Sequence, residues 1–313
     1  MNKTQVSVNP TDITKRNSVA FTKMHALGND FVLVEEQDLE KTAIGQSILR
    51  NLADAGANLA KRICDRHFGI GADGLIIVRP ATREDCQISW MYFNSDGSAS
   101  SMCGNGLRCL ARYAFDRKLV ERSTFDVETA VGPVLARIED NVVTTDLGEP
   151  VLAGEKIPVR KNASPVLREP ITVGSKSWNA TCVSMGNPHC VIFESEWQPE
   201  AWAQMAPQIQ QLPFFPEGVN VEFVQILNRD KARVFVWERG CGPTLACASG
   251  AAAVLVAGVL EDRLSRKATI EMPGGELSLS WVELSNHVTV TGTVQTSFGG
   301  TFDLEQYNAA EGA

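Results

Sequence analysis

Two short segments of the chain share one design, in which a cysteine precedes small residues and then an apolar run. SMCGNGLRCLARYA covers residues 101–114, and TLACASGAAAVLVA covers residues 244–257. In each segment a glycine follows three residues after the cysteine, which is Cys103 in the first and Cys247 in the second. The repeat predicts two related domains that face each other, each with a helix that begins at its cysteine.

The segments around these two helices have the composition of β-strands. Branched and aromatic residues bounded by Gly, Pro or Asp recur in a similar order in both halves. The predicted strands are FVLV, LIIV, ISWMYF, FDVETA, VLARIE and VVTTDL in the first half, and CVSM, HCVIF, VNVEFVQIL, ARVFVWE, the hairpin ATIEMPGGELSLSW and HVTVTG in the second. Further helices are predicted near 42–66 and 198–211, with a linker or surface hairpin at 150–180. The predicted fold class is α/β (α+β).

Composition narrows the classes of partner. The chain has 313 residues, of which 44% are hydrophobic, enough for one large or two ordinary domains with a substantial core. A net charge of −8 argues against a nucleic acid or an anionic membrane as partner, because no basic field would hold phosphates. No apolar stretch of about 18 residues predicts a membrane-spanning helix. The polar residues 1–17 are expected to form a disordered leader.

The cysteine pattern predicts free thiols in a reducing cytoplasm. The chain has eight cysteines, too few for a disulfide scaffold at this length. It has no C-x-x-C pair, and its two C-x5-C pairs exceed the usual zinc spacing, so no metal site is predicted. Most of the thiols are expected to be ordinary core residues. The cysteines are Cys64, Cys86, Cys103, Cys109, Cys182, Cys190, Cys241 and Cys247.

A cysteine at the start of a helix has a specific chemical use. The unpaired N–H groups and partial positive charge there are expected to lower the thiol pKa and to bind a carboxylate. Two such helix ends facing across a cleft would hold one carboxylate, with a sulfur on each side of the adjacent carbon. One thiolate could remove the α-proton of an amino acid and the opposite thiol could return one, with neither metal nor pyridoxal phosphate formally required. The expected N–H donors belong to Gly104, Asn105, Ala248 and Ser249.

Several polar residues stand at strand ends or turns, where side chains can converge on a cleft. Glu238 and Arg239 follow the apolar RVFVW and precede Gly-Cys-Gly, which keeps them close to the second cysteine. The other candidates are Asn29, Asp30, Asn94, Asn187, His189 and Asn220.

The sequence resembles the diaminopimelate epimerase family, whose members need no cofactor. The resemblance runs from about Phe21 to Gly300 in the family's order. It is carried by KMHALGNDFVLV, RHFGIGADGLI, FNSDGSASSMCGNGLRC, VSMGNPHCVIF, VNVEFV, VWERGCGPTLACASGA and MPGGEL. Any one of these segments is a weak signal, whereas the set is highly specific.

The resemblance implies roles for the candidate residues. Cys103 and Cys247 look like the two proton-transfer thiols, and the four N–H donors would hold the reacting carboxylate. Asn29 and Glu238 match residues near the reacting amino group. The residues that match the set reading the distal amino-acid head of the substrate are Asn94, Asn187, Asn220 and Arg239. His189 is expected to orient the site and not to act as its base.

Two positions depart from the family pattern. Ala248 stands where glycine is usual; it still supplies an N–H if its φ is negative, but it is expected to crowd the carboxylate slightly. Pro243 stands where an acidic residue is common, and its ring would stiffen the loop before Cys247. Neither change removes a reacting group.

The fold implied by the resemblance is two pseudo-symmetric domains, each a mostly antiparallel sheet or barrel wrapped around a central helix, with the active site in the cleft between them. The first domain would cover residues 18–146 plus 291–304, and the second 147–290. The expected partner is a small amino-acid substrate. The sequence leaves open whether the chain forms a homodimer.

Three other functions compete with an epimerase of diaminopimelate. A cofactor-independent racemase of another amino acid, such as histidine or lysine, would keep both thiols and change the distal set. A Cys-His acyl-transfer enzyme would use Cys103 with His189 and leave Cys247 without a role. A non-catalytic carboxylate-binding protein would use the helix N-termini alone.

Overall fold

The computed structural model describes residues 17–308. Its strands are β1 (Ser18–Ala26), β2 (Asn29–Glu35), β3 (Gly74–Arg79), β4 (Ile88–Asn94), β5 (Thr124–Thr129), β6 (Gly132–Glu139), β7 (Val142–Asp146), β8 (Val166–Val173), β9 (Lys176–Ser184), β10 (Pro188–Glu194), β11 (Asn220–Asn228), β12 (Lys231–Glu238), β13 (Gly242–Pro243), β14 (Lys267–Met272), β15 (Gly275–Trp281), β16 (Val288–Thr293) and β17 (Gln295–Asp303). Its helices are α1 (Glu36–Glu40), α2 (Ala43–Arg50), α3 (Leu52–Ile63), α4 (Gly104–Asp116), α5 (Pro199–Gln210), α6 (Ala248–Leu260) and α7 (Leu304–Asn308), with a 3₁₀ turn at Gly154–Lys156.

The strand pairing repeats in the two halves of the chain. In the first half the hydrogen-bonded order is β17, β1, β2, β3, β4, β5, β6, β7. In the second half it is β8, β9, β10, β11, β12, β14, β15, β16. Both series are antiparallel except at the same two places, β2/β3 and β4/β5 in the first and β10/β11 and β12/β14 in the second. Pairing of β7 with β16 joins the halves.

One helix lies inside each half. The first-half sheet packs its apolar face on α4, as in β6, where Val134, Ala136 and Ile138 are buried and the residues between them are exposed. In the second half α6 is enclosed on nearly all sides, and its ten residues from Gly250 are mostly buried Ala, Val and Leu. A helix that is apolar all round belongs in a core. The predicted repeated α/β fold, with a sheet around a central helix in each half, is confirmed.

Most of the predicted elements lie where the sequence places them. The helical stretch 42–66 corresponds to α2 and α3, and 198–211 to α5. Segment 150–180 contains the 3₁₀ turn and the antiparallel pair β8 and β9, so it is a hairpin. Strand β17 begins one residue after the end of β16 and returns the chain to the first half, beside β1. The residue boundaries of the two domains stay a prediction.

The predicted leader falls largely on residues 1–16, which lie outside the described residues. Asn17 is described, and its carbonyl accepts a hydrogen bond from the N–H of Leu304. Within residues 17–308, no helix combines the length and the apolar character needed to cross a membrane.

Candidate active site

Both predicted cysteines are the N-cap residues of their helices. The Sγ of Cys103 accepts a hydrogen bond from the N–H of Gly106 at 3.4 Å, and the Sγ of Cys247 accepts one from Gly250 at 3.4 Å. Their backbones are also alike, with φ −145° and ψ 109° at Cys103 and φ −132° and ψ 111° at Cys247. Each thiol therefore takes the place of a capping oxygen and is fixed at the positive end of a helix.

The two helix starts are in contact. The side chain of Asn105 donates through Nδ2 to the carbonyl of Ala246 at 3.0 Å, directly before Cys247. A Cβ atom added to Gly104 would lie 2.8 Å from the Cβ of Ala248. Among residues 17–308, no acceptor is bonded to the N–H groups of Gly104, Ala248 and Ser249. These donors are therefore free to bind an anion at the junction of the two helices.

The departure at Ala248 is accommodated by the fold. Ala248 is the first residue of α6, and its φ is not positive. Its backbone N–H is therefore still available as a donor despite the methyl group. Its methyl group is buried and faces Gly104. Pro243 lies in β13 opposite Trp237, in an exposed turn before Cys247.

The prediction of lowered thiol pKa values is wrong for the protein without substrate. Burial raises the pKa of the Cys103 thiol to about 11, although the N–H groups of Gly106 and Asn105 act in the opposite direction. Burial also raises the pKa of Cys247 well above its ordinary value. Removal of the thiolate from water therefore outweighs the helix N-terminus. Both thiols are protonated at neutral pH.

Glu238 lies near both thiols, on the end of β12. Its Oε1 accepts a hydrogen bond from the hydroxyl of Thr244 at 2.6 Å. Burial raises the pKa of this carboxyl, and its charge in turn raises the pKa of Cys103 and of Cys247. Glu238 therefore lies close enough to both cysteines for its charge to act on each thiol.

Both polar atoms of the Asn29 side chain are hydrogen-bonded within the first half. Its Nδ2 donates to Asp73 at 2.8 Å, and its Oδ1 accepts from Nδ2 of Asn105 at 3.0 Å. Asp73 also accepts from the N–H of Asp30 and from Arg66. This network attaches Asn29 to the start of α4 and to the loop of the RHFGIGADGLI segment.

Asn94 is oriented by Tyr92, two residues before it on β4. The Tyr92 hydroxyl donates to Oδ1 of Asn94 at 2.6 Å, and Nδ2 of Asn94 donates to Ser98 at 2.9 Å. The Tyr92 ring stacks on Trp90, with ring centroids 5.6 Å apart. Burial, with Cys103 nearby, raises the pKa of the Tyr92 hydroxyl. Tyr92 therefore joins Asn94 to the surroundings of the first thiol.

His189 and Asn187 belong to one network under the start of α6. The His189 side chain is fully buried, with Nδ1 2.7 Å from Oε1 of Glu222 and Nε2 3.0 Å from Oδ1 of Asn187. A Cβ on Gly250 would lie 2.8 Å from the same Glu222 oxygen. Both ring nitrogens are therefore occupied within the second half, and His189 is not paired with Cys103 as an acyl-transfer site would require.

Asn220 and Arg239 are also neighbours. The amide of Asn220 donates to the carbonyl of Pro188 at 2.9 Å and accepts from the backbone N–H of Arg239 at 2.8 Å. The exposed Arg239 side chain passes over Gly218 and donates to the carbonyl of Glu217 at 2.7 Å. The Asn220 side chain therefore links the backbone of β10 to that of Arg239, just after the end of β12.

Four residues of this region were not found by sequence reasoning: Asp73, Tyr92, Arg108 and Glu222. Asp73 and Glu222 each stand within segments that carry the family resemblance, but Asp73 bonds Asn29 across 44 residues of sequence and Glu222 bonds His189 across 33. Such pairing has no local pattern in the sequence. Arg108 lies one turn into α4, where an arginine usually points to water.

Solved structures resemble this fold over nearly its whole length. A hydroxyproline epimerase from Agrobacterium vitis aligns with a TM-score of 0.64 and 14% identity over 93% of this chain and 94% of that chain. A probable proline racemase from Agrobacterium radiobacter gives a TM-score of 0.65 at 14% identity, with the same coverage. A PhzF-family phenazine biosynthesis protein from Bacillus anthracis gives 0.61 at 12% identity, covering 91% and 99%. The chain thus has the two-domain fold of the class that includes these epimerases and racemases.

Sequence comparison identifies the family within this class. The family model described as "Diaminopimelate epimerase" matches residues 21–153 and 181–297. A diaminopimelate epimerase from Moorella thermoacetica is 44% identical over 290 residues, covering 91% of this chain and 99% of that protein. One from Acetivibrio thermocellus is 39% identical over 291 residues, with the same coverage. The chain belongs to the diaminopimelate epimerase family.

Proposed function

We propose that the protein is an isomerase that interconverts LL- and meso-diaminopimelate, a step of lysine biosynthesis. The observation that carries the chemistry is the pair of helices, α4 and α6, each capped by a thiol and in contact at Gly104 and Ala248. Two equivalent thiols at adjoining helix N-termini suit a reaction that needs a proton donor and a proton acceptor on opposite faces of one carbon.

The N–H groups in the first turns of the two helices would form the site for the reacting carboxylate. Those of Gly104 and Asn105 would bind it from α4, and those of Ala248 and Ser249 from α6. As the α-proton leaves, the electron pair of the Cα–H bond moves into this carboxylate and gives an enediolate. Fixed N–H donors stabilise the added charge without reorganising.

Proton transfer then inverts the carbon. One cysteine, as thiolate, takes the proton from Cα, while the opposite cysteine, as thiol, gives its proton to the other face of Cα. The first sulfur ends as a thiol and the second as a thiolate, so the charges balance. Cys103 and Cys247 exchange these roles in the reverse direction.

The substrate itself helps to ionise a thiol. Glu238 faces both cysteines, and its negative charge contributes to their raised pKa values. Glu238 and Asn29 would bind the ammonium group next to the reacting carbon. That pairing would neutralise the carboxylate, and the thiol pKa would fall when substrate binds. We propose that Asn94, Asn187, Asn220 and Arg239 bind the distal head.

We also propose a cytoplasmic location. All eight cysteines lie within residues 17–308 and all are free thiols. Free thiols persist in a reducing compartment. The partner of the enzyme is a small molecule.

The test is proton NMR of LL-diaminopimelate with the reduced protein in heavy water and no added cofactor. Loss of the α-proton signal with appearance of the meso isomer is expected. Absence of exchange, with thiols verified as reduced, would overturn the assignment. The same assay with histidine and lysine separates this function from racemisation of another amino acid, since neither should exchange its α-proton.

A further inference from the structure

Arg108 is a buried cation that has no anionic partner among residues 17–308. Its side chain has no exposed surface and lies in the first turns of α4, five residues after Cys103. No carboxylate within residues 17–308 forms an ion pair with it, and its Nε and Nη1 have no hydrogen-bond partner in that part of the chain. A buried charge normally has a counter-ion, because its removal from water costs several kcal/mol. An arginine kept in this state needs an explanation beyond packing.

Within residues 17–308 the Arg108 side chain makes one hydrogen bond, and its acceptor lies at the junction of the two helices. Its Nη2 donates to Oδ1 of Asn105 at 2.6 Å. This bond fixes the amide of Asn105, whose Nδ2 donates to the carbonyl of Ala246 and to Oδ1 of Asn29, both at 3.0 Å. Arg108 thus acts through Asn105 on the residue before Cys247 and on Asn29.

The absence of a side chain at Gly292, in the second half, leaves room for the Arg108 guanidinium. A Cβ added to Gly292, on β16, would lie 3.2 Å from Nε of Arg108 and 2.6 Å from Leu277. The cation therefore extends from α4 towards β16 and lies between the two halves. Its charge also acts on Cys103, whose thiol pKa it lowers against the larger effect of burial.

We propose that Arg108 is a positioning residue whose uncompensated charge is neutralised when a thiolate and a substrate carboxylate occupy the ends of α4 and α6. This inference rests on the proposed function. The free protein holds the cation in advance, so the charge needs no reorganisation when the anions form. Asn105 transmits its position to both thiol-bearing segments.

The test compares Arg108→Met with Arg112→Met. Arg112 lies one turn further along α4, is partly exposed and is bonded to Asp116, so its loss is the matched control. Alkylation of Cys103 by iodoacetamide is followed by peptide mass spectrometry against pH, without substrate. The groups facing Cys103 are Glu238 from β12, Tyr92 from β4, and Arg108 and Cys109 on α4.

Arg108→Met is expected to slow alkylation of Cys103 about tenfold at a fixed pH below the midpoint, which corresponds to about one unit of thiol pKa. It should also lower kcat more than it raises KM, and Arg108→Lys should restore much of both. The Tm should not fall below that of the Arg112→Met protein by more than a few degrees. The substitution removes a buried, unpaired charge, and with it the free-energy cost of keeping that charge out of water. A structural role alone would lower the Tm and leave the alkylation profile unchanged.

An unchanged alkylation midpoint in folded Arg108→Met would overturn the proposal. Should that variant not fold, Arg108→Gln keeps an amide donor for Asn105 without the charge, and the same comparison decides. The alkylation rates need no substrate. If the wild-type protein failed to turn over diaminopimelate, the proposed function would fall while the effect of Arg108 on Cys103 would still be measured.

Discussion

Gly104 and Ala248 approach each other so closely that the two helices could not both begin with alanine. A Cβ on Gly104 would lie 2.8 Å from the Cβ of Ala248, a separation that real Cβ atoms essentially never show. The small residue on α4 and the methyl group on α6 therefore form a matched pair. In this chain the methyl group belongs to Ala248 on α6, and Gly104 on α4 has no side chain.

Gly104→Ala should lower the free energy of unfolding by about 1–3 kcal/mol, because extra atoms in a packed contact force the helices apart. The double variant Gly104→Ala/Ala248→Gly should recover most of this loss, since it moves the methyl to the other helix. Denaturant unfolding of both single variants and the double variant gives the coupling energy. Additive effects would contradict a direct contact.

Loss of either N-cap thiol should abolish epimerisation. Cys103→Ser and Cys247→Ser each replace a thiol by a much weaker acid, and a drop of at least about 10²-fold in kcat is expected for each. Cys241→Ser is the control, since that exposed thiol lies near Glu238 and outside the helix starts. The measurement is conversion of LL- to meso-diaminopimelate. Full activity in the Cys247→Ser protein would favour a one-thiol mechanism instead.

Glu222→Gln should destabilise the second half. Glu222 and His189 are both fully buried and joined at 2.7 Å. Disrupting a hydrogen bond between two buried groups leaves polar atoms unsatisfied, which costs about 1–3 kcal/mol. Glu276→Gln, at an exposed residue bonded to Lys231, should change the unfolding free energy by less than about 1 kcal/mol. Equal effects of the two changes in urea unfolding would show that the pair is not important for stability.

Stability should fall at alkaline pH because of buried thiols. Burial raises the pKa of Cys64 to about 12 and that of Cys103 to about 11, above the value of about 8.5 in an unfolded chain. The folded state therefore holds these protons more tightly, and its advantage is complete below about pH 8.5 and lost as pH rises towards the folded values. Each thiol contributes at most about 1.4 kcal/mol per pH unit.

The measurement is the free energy of unfolding in urea from pH 7.5 to 10.5 under reducing conditions. Cys64→Ala should flatten the decline above pH 8.5, whatever its effect at neutral pH, whereas Cys241→Ala should flatten it less because that thiol is exposed. A slope unaffected by loss of Cys64 would contradict this assignment.

Much of the fold follows from local patterns. Alternation of buried and exposed residues in FDVETA and VLARIE marks β5 and β6, and the two cysteine segments mark α4 and α6 at their first residues. The strand β1 is different. Its sequence SVAFTKMHA mixes polar and apolar residues without clear alternation, and its partner β17 lies more than 260 residues away. Such a pairing depends on the whole fold and leaves no short-range pattern.

The candidate site also has features that local sequence predicts and features that depend on residues distant in the sequence. Residue types at strand ends and helix starts predict where Cys103, Cys247 and Glu238 lie, because the start of a helix and the end of a strand depend on local sequence. The thiol pKa was predicted in the wrong direction, since burial depends on neighbours that the sequence does not place. The partners Tyr92 and Glu222 were missed for the same reason.

Arg239→Met should weaken substrate binding much more than it slows turnover. Arg239 is exposed, is placed by Asn220, and has no carboxylate ion-paired to it within residues 17–308, which leaves its guanidinium available to a distal carboxylate. Loss of a charge-assisted contact of about 1.5–3 kcal/mol should raise KM about 10- to 100-fold with a smaller change in kcat. Arg233→Met is the control, because Arg233 lies on β12, the strand that ends directly before Arg239, and is already paired with Glu271. Steady-state kinetics with LL-diaminopimelate should leave the KM of the control near that of the wild-type protein. An unchanged KM in Arg239→Met would remove Arg239 from substrate recognition, and an equal loss in both variants would point to a general effect on β12.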